Sequence, residues 1–146
     1  MTKAEALKEL QSLKEYIDSL KKNIKSNNKL EINKANFKSL EMVEFKDCEA
    51  PFQMGKYLVT QELWEAIMGN NPSYFKGYKD LPVETVSWND CQEFITKLNS
   101  ITGKQYRLPT EYEWILCATI DNTIYSGSDN IDEVAWYTDN SNNKTH

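Results

Sequence analysis

Histidine is nearly absent from this chain, and its one imidazole belongs to the last residue, His146. A histidine-cluster metal centre therefore has no ligands to draw on. Cysteine is sparse too: Cys48, Cys91 and Cys117 are odd in number, widely spaced and without a Cys-x-x-Cys pair, which excludes the usual zinc frameworks. No run of about 20 apolar residues is present to span a bilayer. The first residues, with Lys3, Glu5, Lys8 and Glu9, lack the apolar core of a signal peptide, so the cytoplasm is the expected location. Basic charge is not in excess. The formal net charge of −5 leaves no face to neutralise phosphates, and nucleic acid is not an expected partner. The lysines between residues 21 and 38 have Asp18, Glu31 and Glu41 around them and read as a solvated surface.

What is present suits a folded domain. A composition 40% hydrophobic and 12% aromatic is too apolar for a disordered chain, and 146 residues suffice for one domain with a real core plus an extension. Residues 1–30 read as an amphipathic, coiled-coil-like helix and linker, and residues 31–146 as the domain. In the extension Leu10, Leu13, Ile17, Leu20 and Ile24 recur at alternating steps of three and four. That seam either packs on its own domain or serves self-association or a partner protein through residues 2–25.

Along the domain, Phe37 to Phe45 and Phe52 to Leu58 read as strands, with Gly55 marking a bulge or close approach. Thr60 caps a helix through Met68, which Gly69 terminates. Residues 70–82 form an irregular loop that Tyr74, Phe75 and Tyr78 should pack down as aromatic anchors. Ser87 and Asp90 form a capping box for a helix from Trp88 to about Asn99, whose buried face is Trp88, Cys91, Phe94, Ile95 and Leu98. Cys91 and Cys117 fall on helices among apolar neighbours and read as small buried hydrophobes. Cys48, between Asp47 and Glu49, sits in poor surroundings for a nucleophile.

The most informative stretch is Tyr106-Arg-Leu-Pro-Thr-Glu-Tyr-Glu-Trp-Ile-Leu116. Pro109 keeps Leu108 out of helical dihedrals. Thr110 and Glu113 then make a Thr-x-x-Glu capping box for a helix expected to reach about Ile120. Arg107 lies where it can pair with Glu111 or Glu113. Such a pair fixes the angle between the incoming segment and the helix. The residues alone give an architectural role to Arg107, Glu111 and Glu113.

This motif resembles the Arg-Leu-Pro-Thr-Glu-Ala-Glu-Trp-Glu signature of the formylglycine-generating enzyme family, also called the sulfatase-modifying factor family. Other stretches resemble that family's successive landmarks in the same order. They are Phe52-Gln-Met-Gly-Lys-Tyr-Leu-Val-Thr60, Trp64-Glu-Ala-Ile-Met-Gly-Asn-Asn-Pro-Ser73, Pro82-Val-Glu-Thr-Val-Ser-Trp88, Tyr125-Ser-Gly-Ser-Asp129 and Val134-Ala-Trp136. The resemblance covers roughly residues 37–146 and implies an α+β, loop-rich fold related to the C-type lectins. It also implies an oxidoreductase activity for complete members, which convert a sulfatase cysteine to formylglycine with copper held by two cysteines and calcium as a structural ion.

This chain departs from that pattern. The family's Gly-Leu-Tyr-Asp-Met-x-Gly-Asn-Val-Trp-Glu-Trp and Arg-Gly-Gly-Ser segments, and the copper-binding cysteines, have no counterpart here, and Thr119-Ile-Asp121 replaces an Arg-Gly-Gly. No catalytic or cofactor-binding residue is therefore carried over. Asp139 and Asn140 are the calcium candidates, as oxygen ligands in a polar loop. Two function classes follow. One is a shortened, catalytically inactive relative acting as a binding or interaction module. The other is part of a copper-dependent protein-cysteine oxidase whose catalytic half lies outside this sequence.

Overall fold

In the computed structural model, residues 10–23, 26, 37, 40–46 and 48–146 are described. Residues 10–23 are helical (α1), and every one of them is exposed. Most of the expected linker to Asn36, Lys38 and Ser39 of the expected Phe37–Phe45 strand, the start of the N-terminal helix and Ile24 lie outside the described residues.

The sheet is small. Met42–Phe45 (β1) and Phe52–Gly55 (β2) pair antiparallel, with Met42 opposite Gly55 and Phe45 opposite Phe52. The rings of Phe45 and Phe52 stack at 5.0 Å across the closed end. At the open end Lys56 reaches Glu41 at 2.8 Å. Both strands are shorter than expected, because the chain leaves the ladder after Gly55, where an added Cβ would stand 3.3 Å from the Tyr57 carbonyl oxygen.

The core forms between two helices. Thr60 Oγ1 accepts from the Leu63 amide and opens Gln61–Met68 (α2), and Gly69 closes it in the left-handed region that glycine enters without steric cost. The Ser87–Asp90 capping box opens Trp88–Thr102 (α3), which runs past the expected Asn99 to Gly103, again left-handed. Leu63, Trp64 and Ile67 of α2 meet Phe94 and Leu98 of α3, and the Trp64 and Phe94 rings stack at 4.9 Å. Offset aromatic packing of this kind adds to simple area burial. Trp88 is a correction: it was expected on the buried face of α3, yet it is 67% exposed. Trp88 is the first residue of the helix, and its ring stays in solvent.

The loop after α2 also differs from expectation. Tyr74 and Tyr78 are 81% and 71% exposed, so they do not anchor it. Polar groups do. Gln61, 2% exposed, donates from Nε2 to the carbonyls of Phe75 at 2.7 Å and Pro82 at 3.2 Å, and accepts from Asn71 Nδ2 at 2.8 Å. Asn71 Oδ1 takes the Ser73 amide, Ser73 Oγ takes the Glu84 amide, and Glu84 Oε1 takes the Phe75 amide. A loop that cannot form a ladder must satisfy its backbone in some such way.

Glu111–Ala118 (α4) follows Pro109, two residues shorter than expected, and Ile131–Val134 (α5) is a single turn. No helix among the described residues is long and apolar enough to cross a membrane.

Candidate functional site

The Tyr106–Leu116 stretch is built as the sequence implies. Asn99 stands in for a strand partner: its Oδ1 accepts from the Tyr106 amide at 2.7 Å and its Nδ2 donates to the Tyr106 carbonyl at 2.9 Å. Tyr106, Arg107 and Leu108 therefore run extended without joining a sheet. Arg107 then chooses Glu113 over Glu111. Its Nη1 and Nη2 donate to the two Glu113 oxygens at 2.7 and 2.6 Å, the bidentate geometry that favours Arg over Lys. The Thr110 amide adds a third donor to Glu113 at 2.8 Å. The Arg107 guanidinium first, and then the Thr110 amide, hold the Glu113 carboxyl down to about 2. Glu113 is the buried residue of α4, while Tyr112 and Trp114 are 60% and 62% exposed. The helix turns its charged cap inward and its aromatic side outward.

A cleft of about 380 Å³ lies between this stretch and the hairpin, lined by Phe52, Met54, Tyr106, Arg107, Pro109 and Glu113 among others. Glu113 is committed to the ion pair and the cap, while the Arg107 side chain keeps 59% of its surface exposed.

A larger cleft, about 690 Å³, opens where residues 56–62 pass Asp80, Pro82, Val134 and Trp136. This volume falls within the usual range for ligand sites. Its apolar wall is open, with Leu58 70% and Trp136 63% exposed. The His146 ring stacks on Trp136 at 3.9 Å and holds its face in place. Lys56 is already paired with Glu41, whereas Glu62 and Asp80 enter no ion pair among the described residues. The cleft thus joins an apolar shelf to two carboxylates that enter no ion pair among the described residues. Sequence reasoning missed this grouping, because Leu58, Glu62, Asp80 and Trp136 come together only through the path of the loop; the one local signal was an exposed-looking apolar residue at the end of the second expected strand.

The thiols and the calcium candidates sit elsewhere. Cys91 and Cys117 lie on α3 and α4 as expected, half-buried, and all three cysteines are free. Burial, reinforced by Asp90, pushes the Cys91 thiol up, and burial with Glu113 and then Cys48 does the same for Cys117. Cys48 points its Sγ toward the Ala50 carbonyl at 3.3 Å. None of the three cysteines lines either cleft. Asn140 spends its side chain locally, accepting from the Tyr137 amide at 2.8 Å and donating to the Ala135 carbonyl at 3.0 Å, while Asp139 is exposed. No group of three or more His, Cys, Asp or Glu side chains that could hold a metal ion occurs among the described residues.

Comparison with known proteins gives three matches. The chain is similar to the chaperone protein LppX of Paenibacillus barcinonensis, 35% identical over 130 residues covering 64% of this chain and 46% of that protein. It is similar in structure to Treponema denticola variable protein 1, with a TM-score of 0.59 and 28% identity over 73% of this chain and 60% of that one. It spans about half the length of the curated relative it matches. The model of the sulfatase-modifying factor enzyme 1-like domain matches residues 28–146, and that extent, together with the ordered motifs around the Arg107–Glu113 pair, places the chain in the sulfatase-modifying factor enzyme 1-like family.

Proposed function

We propose that the chain is a binding module that holds an extended polypeptide segment in the larger cleft, on a C-type-lectin-like scaffold in which short elements present long loops. The observation that carries this reading is the open shelf of Leu58 and Trp136 beside the unpaired carboxylates of Glu62 and Asp80. Such a cleft suits a segment with an apolar or aromatic side chain flanked by Lys or Arg, because the ring supplies area and the carboxylates supply sign. The similarity to a protein named a chaperone supports a role in holding polypeptide. Neither calcium nor copper enters this reading.

The test is a titration with fluorescent peptides that carry one Phe or Leu between lysines, alongside the same peptides with Glu for Lys. Binding should follow the basic series, and Trp136→Ala should weaken it by about tenfold or more, since burying such a ring contributes roughly 1.5–3 kcal/mol. Equal binding of both series, or no effect of Trp136→Ala, would refute the assignment.

The second reading, part of a copper-dependent protein-cysteine oxidase, draws on the family description alone. It requires thiolates that this chain does not place in either cleft.

A further inference from the structure

Helix α1 shows a face with nothing on it. Leu10, Leu13, Ile17 and Leu20 are 56%, 54%, 46% and 41% exposed, at the three-and-four spacing that puts them on one side of the helix. All of residues 10–23 are exposed, so among the described residues this seam is not covered by the domain that follows. We propose that it is the core of a parallel, two-stranded coiled coil formed with a second copy of this chain.

The side-chain types select that occupant. Placing Leu10 and Ile17 at the first core position of the heptad puts Leu13 and Leu20 at the second. Ile24 continues the first set and Glu9 precedes it; both enter here only by their place in the sequence. Ile17 at the first core position with Leu13 and Leu20 at the second favours two parallel strands over three or four, with Leu10 the exception to that pattern. The flanking charges choose the same orientation. Lys14 and Lys21 occupy one flank of the seam and Tyr16 the other, the flank to which the heptad count of the sequence also assigns Glu9. In a parallel pair, Glu9 meets Lys14 of the second copy, and Tyr16 offers its ring to Lys21 of the second copy. In an antiparallel pair the lysine flanks face each other, lysine against lysine. Lys21 does lean on Asp18 of its own helix at 3.8 Å, but both side chains are at least 70% exposed, and a contact of that kind does not hold it. The remaining positions are polar, with Gln11 Nε2 donating to Glu15 Oε1 at 3.2 Å on the outer side. The seam is short, so the association is concentration-dependent.

Sedimentation of the full chain across micromolar to millimolar concentration tests this directly. The expected result is a reversible shift from 17.0 kDa toward twice that mass. Leu13→Asp with Ile17→Asp should abolish the shift and leave the melting temperature of the dilute chain unchanged. Lys14→Glu alone should weaken the dimer, and mixing that variant with Glu9→Lys should restore it. Under mild oxidation, Leu10→Cys should cross-link to the same position in the second copy. A chain that stays monomeric throughout, a dimer that survives the double substitution, a trimer, or strengthening by Lys14→Glu would each overturn the proposal. So would a lowered melting temperature in the dilute double variant, which would show that the seam packs on its own domain.

Discussion

Replacing Gln61 with Ala removes the centre of the polar network that holds residues 70–86. In the structure both hydrogens of Nε2 are used, on the Phe75 and Pro82 carbonyls, and Oε1 accepts from Asn71. The substitution therefore deletes three hydrogen bonds and strands two carbonyls and one amide at a site where Gln61 itself is 2% exposed. A net bond contributes about 0.5–1.5 kcal/mol, and each buried group left unpaired costs about 1–3 kcal/mol. Water reaching the loop side recovers part of that, so the expected loss is about 3–4 kcal/mol, a large fraction of a small domain's stability. The melting temperature should fall by about 10 °C, measured by far-UV circular dichroism. Gln61→Glu is the companion variant. It keeps the shape but turns a carboxylate toward two carbonyl oxygens, so its folded-state pKa is raised, and its deficit should shrink as pH falls through that raised value. A Gln61→Ala variant that melts within about 2 °C of the parent would refute the network as the anchor of the loop.

Two further outcomes follow from the charged and thiol groups. The Glu113 carboxyl is depressed in the fold to about 2 from its ordinary 4.5, so its contribution is present above pH 4.5 and lost as pH falls through about 2; Glu113→Gln should flatten that part of a melting-temperature titration, and an unchanged acid slope would contradict the Arg107–Glu113 arrangement. Cys91 and Cys117, whose thiols burial pushes up, should be alkylated by iodoacetamide at neutral pH more slowly than a peptide cysteine, as read by peptide mass, and equal rates would show that both helices open readily.

The helix starts were legible because each rests on a local rule. Thr60, Ser87 and Thr110 cap within three residues, and Gly69 and Gly103 stop their helices in the left-handed region. The Arg107–Glu113 pairing followed from the turn that Pro109 imposes, although the choice of Glu113 over Glu111 needed the geometry of the cap. Strand lengths were not legible: Tyr57 and Leu58 carry aromatic and apolar side chains, yet the path of the chain, not its propensity, ends the ladder at Gly55. The aromatic anchors expected at Tyr74 and Tyr78 misled for a related reason. Local hydrophobicity does not reveal that a glutamine ten residues before Asn71 already satisfies the loop. Trp88 showed the limit of helical spacing, which places a residue on a face but does not say whether anything covers that end of the face. The larger cleft was invisible for the same reason as the loop network, since its parts are far apart in sequence.

The measurement closest to the central claim is a paired assay on one sample of the purified chain. It is incubated with copper, oxygen, a reductant and a sulfatase-type cysteine peptide while peptide mass is followed, and in parallel the basic, apolar peptides are titrated against it. The expected result is saturable peptide binding that Trp136→Ala weakens, with no aldehyde formed. Turnover of the cysteine peptide to formylglycine by the chain alone, or the absence of any binding that depends on Trp136, would contradict it.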